Sequence, residues 1–146
     1  MENIVFQGPA ALTLDVKGRI AMPARHRELL NKMGIHELTI TKHPVGALMI
    51  FPRPAWENFR DRIAALPMEG AGWKRVFLGN AMDVDIDASS RLLIPPELRA
   101  AAGLVREVML IGMGSHFELW DKQRHAEHEA QVMQSDMPDS LKSFSF

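Results

Sequence analysis

Arginine recurs in this sequence at a fixed distance behind aspartate, in Asp15-Val16-Lys17-Gly18-Arg19 and again in Asp87-Ala88-Ser89-Ser90-Arg91. A guanidinium presents a planar fork of donors that suits phosphate oxygens and the guanine edge, which a lysine ammonium cannot imitate. At the same spacing an arginine can instead pair with its aspartate and pin a turn. Both readings are open for Arg19 and for Arg91, while Asp15 and Asp87 read as turn residues. Lys17 joins Arg19 as a groove or phosphate contact. Arg25 and Arg27, on the first turn of a helix after Pro23, are candidate phosphate anchors, since a helix N-terminus itself favours an anion. Arg27 and Arg99, each four residues after a proline, are equally readable as solvated helix positions.

Other chemistry has thinner support. Cysteine is absent, which removes disulfides, thiolate catalysis and sulfur-ligated metal sites. His125 and His128 are three apart on a polar helix but have no third ligand in view, so they read as a solvated face and not as a zinc site. Asp83, Asp85 and Asp87 alternate as on one face of a strand and read as solvent-facing, with metal or acid/base work a remote rival. Ser89-Ser90 has no nearby histidine, and neither a nucleophile elbow nor a phosphate-binding glycine loop occurs. The expectation is a protein that is not an enzyme, with no cofactor, no metal and no small-molecule substrate.

The elements that must position these residues repeat. Leu12 to Pro23 is echoed by Val84 to Pro95, and the aspartate, arginine and proline of the two copies share one offset of 72 residues. Each copy reads as an alternating strand, a polar turn, a second strand stopped by proline, and a short helix ending at Gly34 or Gly103. The strands flanking each turn are expected to form a hairpin. A second strand pair follows in each copy, Glu37 to Thr41 with Ala47 to Phe51, and Glu107 to Ile111 with His116 to Trp120. Trp56, Phe59, Ile63 and Leu66 make one apolar stripe on a helix over 54–66, suited to a core or a subunit interface. A polar helix over 121–134 belongs on the surface or against a partner. The boundaries expected are a first repeat over 6–66, a linker over 67–72, a second repeat over 73–134, a weakly ordered tail over 135–146, and an extension before Phe6.

Composition agrees with a folded chain: 47% apolar and 24% charged residues are ordinary for globular proteins. No apolar run approaches the ~20 residues needed to span a bilayer, so no membrane partner is expected, and the start of the chain lacks a basic secretory signature. A cytoplasmic protein is the expectation. The net charge of −1 hides an asymmetry. Lys17 to Lys32 holds five cations against one carboxylate, a net of +4, whereas Asp83 to Arg99 holds two cations against four carboxylates, a net of −2. That difference, with Ser90 standing where the first copy has Gly18, places the DNA face on the first repeat.

The doubled Asp-x-x-Gly-Arg-[Ile/Leu]-x-x-Pro pattern resembles the MraZ family of transcriptional regulators. So do Phe6-Gln7-Gly8, Pro95-Pro96-Glu97-Leu98-Arg99 and Phe117-Glu118-Leu119-Trp120, over roughly 6–134. The resemblance implies an α+β, mainly β fold: a swapped-hairpin, AbrB-like, double-psi-type barrel formed by two tandem repeats in one chain, with short helices after each hairpin. It implies a ring-like homo-oligomer that binds double-stranded DNA at promoter repeats, as a repressor of its own operon and of the division and cell-wall gene cluster. The alternative is an AbrB-like antitoxin whose polar helix from Asp121 and trailing residues capture a protein.

Overall fold

A computed structural model describes residues 4–144. The extension and tail expected at the two ends fall partly on residues 1–3 and 145–146, which lie outside the described residues. The first half runs β1 (Phe6–Thr13), β2 (Arg19–Ala21), α1 (Ala24–Lys32), β3 (Glu37–Lys42), β4 (Leu48–Pro52) and α2 (Arg53–Ala64). The stretch read as a linker is itself folded, into a 3-10 turn (Met68–Gly70) that leads to α3 (Ala71–Phe77). The second half repeats the order as β5 (Met82–Asp85), β6 (Arg91–Leu93), α4 (Pro96–Ala101), β7 (Glu107–Gly114), β8 (Phe117–Asp121) and α5 (Lys122–Gln134). Gly34 and Gly103 follow α1 and α4 with φ of +67° and +66°, the left-handed stop that glycine adopts without strain.

Strand pairing is where the sequence expectation fails. The strands flanking each polar turn do not form a ladder with one another. β1 pairs antiparallel with β7, β5 pairs with β3, and β2 pairs with β6, so each half gives its first strands to the other half. The β3–β4 and β7–β8 pairs form as expected, and β4 joins β8. The result is a six-stranded sheet in the order β1-β7-β8-β4-β3-β5, together with the two-stranded β2-β6 ribbon. The expected barrel is therefore not closed: β1 and β5 are the two ends of an open sheet, and no ladder joins them among the described residues. The fold is α+β, dominated by antiparallel strands.

Period-two alternation decides which face is buried. Ile20 and Leu92, register partners on the ribbon, pack into one cluster with Leu38, Leu48, Leu110 and Leu119 of the sheet and with Leu30 and Leu98 of α1 and α4. The ribbon thus lies on the inner face of the sheet, and both halves supply that core. The outer face beside β4 is covered by α2 and α3, where Met49, Phe51 and Trp56 are buried against Phe59 and Phe77. Phe51 stacks on Phe59 at 4.9 Å. The apolar stripe of α2 is core at Trp56 and half-buried at Phe59, Ile63 and Leu66. α5 keeps to the surface, capped by Asp121, whose Oδ2 accepts from the Arg124 backbone N–H at 3.1 Å.

One core position breaks the apolar rule. His26 of α1 is 1% exposed and sits against Phe117 and Phe6, with ring centroids 4.8 and 6.0 Å away. Among the described residues its Nδ1 has no hydrogen-bond partner, and Nε2 accepts only a long 3.5 Å bond from Arg25 Nε. Burial, and secondarily the charge of Arg25, pushes its pKa below the usual imidazole value. The equivalent position in the second half, 72 residues on, is Leu98. In the unfolded chain the ring takes up a proton near 6.5, so below that pH the unfolded state holds more protons and stability falls. His116, lowered chiefly by burial, acts in the same direction. His26→Leu should stabilise the protein by about 1 kcal/mol at pH 7.5, the cost of an unsatisfied polar atom, and by more at pH 5.5. Urea unfolding at the two pH values checks this, and an unchanged pH dependence would count against it.

Candidate nucleic-acid interface

The β2-β6 ribbon has two faces set by its register. Ile20 and Leu92 lie opposite one another and point into the core; Arg19 opposite Leu93, and Ala21 opposite Arg91, therefore share the other face. Backbone bonds from Met22 N–H to the Ser90 carbonyl and from Ile94 N–H to the Gly18 carbonyl, both 2.9 Å, carry the pairing past the strand ends. The two polar turns consequently sit at opposite ends of one short ribbon. Arg19 and Arg91, 72 residues apart in sequence, become diagonal cross-strand neighbours, a relation that places Cα atoms ~7–8 Å apart. Exposed Ala21 and Leu93 lie beside them, the latter 46% exposed.

Each turn is built by its aspartate. Asp15 Oδ1 accepts from the backbone N–H of Lys17 and of Arg19, both at 2.9 Å, and Oδ2 accepts from Arg19 Nε at 2.7 Å. Asp87 does the same with Ser89 N–H and Arg91 N–H at 2.9 Å and Arg91 Nε at 3.2 Å. These bonds, led in each case by the arginine backbone N–H, hold both carboxyls below their ordinary pKa. The pinning role is thus real at both turns, yet it engages only Nε. The terminal nitrogens of both guanidinium groups have no protein partner among the described residues, and the side chains are 23% and 38% exposed. Pinning orients the unused donors in advance, which reduces the entropy lost when they engage a ligand.

Arg25 and Arg27 stand on the first turn of α1, as expected. Because the halves interleave, α4 of the second half lies beside the first turn. Arg25 donates Nη2 to the Pro9 carbonyl at 2.9 Å, over Gly8 near the start of β1. Arg27 is half-exposed, with no protein partner among the described residues. Lys17 is exposed at the tip of the first turn. The helical arginine that reaches this turn is Arg99, which donates Nε to the Ile94 carbonyl at 2.8 Å and lies flat across Gly18. Arg106 also borders the turn, its carbonyl accepting from Leu14 N–H at 2.8 Å. Sequence reasoning missed Arg106, which the β1-β7 register brings to the turn, and left Arg99 as a solvated position. Its match to Arg27 at the shared offset was the available signal.

The carboxylates do not gather. Asp83 is bound by Arg53 and accepts from the Thr39 hydroxyl at 2.9 Å, so the Arg53 guanidinium holds its carboxyl below the usual range. Asp85 is exposed on β5, and Asp87 belongs to the turn beyond it. Among the described residues no group of histidines and carboxylates has metal-holding geometry. His125 and His128 pack on Trp120 with ring centroids 5.6 and 4.9 Å away.

Comparison with known proteins gives a consistent result. Residues 5–72 and 77–142 match the family described as "MraZ protein, putative antitoxin-like". The chain is 67% identical over 146 residues to a protein named transcriptional regulator MraZ from Methylibium petroleiphilum, and 62% identical over 146 residues to one of that name from Leptothrix cholodnii, with both chains fully covered in each case. A third of that name, from Variovorax paradoxus, is 58% identical over 142 residues, covering 97% of this chain and all of that one.

The two turns differ in their third residue after aspartate. Gly18 has φ of +84°, and Ser90, the one described non-glycine residue at positive φ, has +61°. A left-handed L-residue costs ~1–2 kcal/mol. A Cβ at Gly18 would in addition collide with the Arg99 guanidinium, whereas Ser90 already carries its Cβ. Ser90→Gly should raise stability by about 1 kcal/mol and Gly18→Ser should lower it by at least as much. Opposite shifts in the denaturant midpoint are expected; shifts of the same sign would contradict the turn geometry.

Proposed function

Because the chain belongs to the MraZ family, we propose that it is a transcriptional regulator that binds double-stranded DNA through the outer face of the β2-β6 ribbon. The observation that carries this is the placement of Arg19 and Arg91 on one exposed face, each fixed through Nε with its terminal donors unused. A two-stranded ribbon is one of the shapes a major groove admits, and an arginine fork is the commonest reader of guanine there. Leu93 and Ala21 supply the apolar surface that suits a thymine methyl. The net charge of −1 is no obstacle, because the phosphate backbone responds to local cations.

The DNA-facing surface in this reading is shared by the repeats over 6–66 and 73–134, and is not the property of the first alone. A single short ribbon binds weakly at physiological salt. A ring-like homo-oligomer that presents many ribbons to spaced promoter repeats would gain ~10²–10⁴ in avidity. Heterologous contacts close into such rings when the rotation allows. Repression of its own operon and of the division and cell-wall gene cluster, and a nucleoid-associated cytoplasmic location, extend this reading from the family resemblance.

A second reading, protein capture of the antitoxin kind, has one observation in its favour: α5 and the residues after it expose Val132, Met133 and Met137, at 53%, 79% and 52%. Truncation after Asp121 would abolish such capture and leave operator binding nearly intact. The main test replaces Arg19 with alanine and measures affinity for the promoter upstream of the protein's own gene, with native mass confirming the oligomer. Loss of a bidentate base contact is worth about 1–3 kcal/mol per engaged protomer, so at least tenfold weaker binding is expected. Arg91→Ala should weaken binding in the same assay. Unchanged affinity of the Arg19 variant in an intact oligomer would refute the assignment.

A further inference from the structure

Beside the first turn the two halves enclose an open groove of about 650 Å³, lined by Thr13, Leu14, Asp15, Val16, Arg99, Val105 and Arg106. We propose that this groove seats the DNA sugar-phosphate backbone, with Arg106 and Arg99 of the second repeat as phosphate contacts while Lys17 and Arg19 address the bases. The inference rests on the DNA-binding reading above and assigns residues to it that lie outside the recurring Asp-x-x-Gly-Arg pattern.

Four observations carry it. The carboxylate lining the groove, Asp15, is paired with Arg19 and bonded to two backbone N–H groups, and it makes no ion pair with Arg99 or Arg106 among the described residues. Arg106 is exposed and its side chain has no protein partner among the described residues. Arg99 spends only Nε, on the Ile94 carbonyl, and the missing side chain of Gly18 lets its guanidinium lie against the turn that carries Lys17. Val16 and Val105 stand 102% and 84% exposed on the groove rim, where apolar atoms match deoxyribose better than water. At the second turn the carbonyl that accepts from Ile86 N–H belongs to His36, where Arg106 stands in the first groove. The two ends of the ribbon therefore differ in their cations, and Arg106 and Arg99 belong to the first. Phosphate contacts fix register without reading sequence, and each releases counterions.

The test measures binding of the full-length oligomer to operator duplex and to a random duplex of equal length across a salt series, for the wild type, Arg106→Gln and Arg106→Lys. Expected for Arg106→Gln is a log–log salt slope shallower by about 0.9 for each engaged protomer, with equal fractional loss on both duplexes, and recovery in Arg106→Lys. A wild-type slope and affinity in Arg106→Gln would overturn the inference and leave the role of Arg19 standing. A drop in native mass of Arg106→Gln would identify the groove as a subunit contact and also overturn it. Failure of the wild type to bind either duplex at low salt would remove the DNA-binding reading itself.

Discussion

The structure depends on satisfying the edges of two hairpins. β3-β4 and β7-β8 each present an unpaired row of backbone donors and acceptors, and an open edge invites the wrong partner unless it is covered. Here each edge is completed by a strand from the opposite half, β5 on β3 and β1 on β7. A piece the size of one half buries a smaller fraction of its apolar surface than the joined chain does. Exchange therefore extends the sheet to six strands and gives the two repeats one shared core.

The same exchange produces the ribbon. Once β1 and β5 are committed to the large sheet, the chain leaving each must turn sharply and cross the inner face, where β2 and β6 meet as the remaining strands free to pair. Ile20 and Leu92 anchor that meeting in the core, so Arg19 and Arg91 are left on the outside together. Aspartate then sets both the turn and the arginine through three hydrogen bonds each. Local turn chemistry and long-range strand exchange thus act on the same few residues. The halves are not copies in detail, however: Gly18 admits Arg99 where Ser90 carries a side chain, and Arg106 has only His36 as its counterpart.

Much of this was legible in the residues. The shared offset, the prolines that stop β2 and β6, the glycines that end α1 and α4, the β3-β4 and β7-β8 pairs and the polar α5 all follow from local patterning. The strand partners did not. Alternation tells which face of a strand is buried but not which strand lies beside it, so a sequential hairpin and an exchanged pair read alike. That one ambiguity hid the interleaving that brings Arg99 and Arg106 beside the first turn. Asp83 is solvent-facing as read, but its ion pair with Arg53 crosses to the opposite half and leaves no mark in its own strand. His26 was passed over because nothing in its helix shows that Phe6 and Phe117 will enclose it.

The most direct measurement is hydrogen–deuterium exchange of the intact oligomer with and without operator duplex. If the ribbon face contacts DNA, slowed exchange should appear together in peptides spanning both polar turns, Asp15 to Met22 and Asp87 to Ile94, while α2 and α3 stay unchanged. Protection confined to α5, or to one turn with the other unaffected, would contradict a binding face assembled from both repeats.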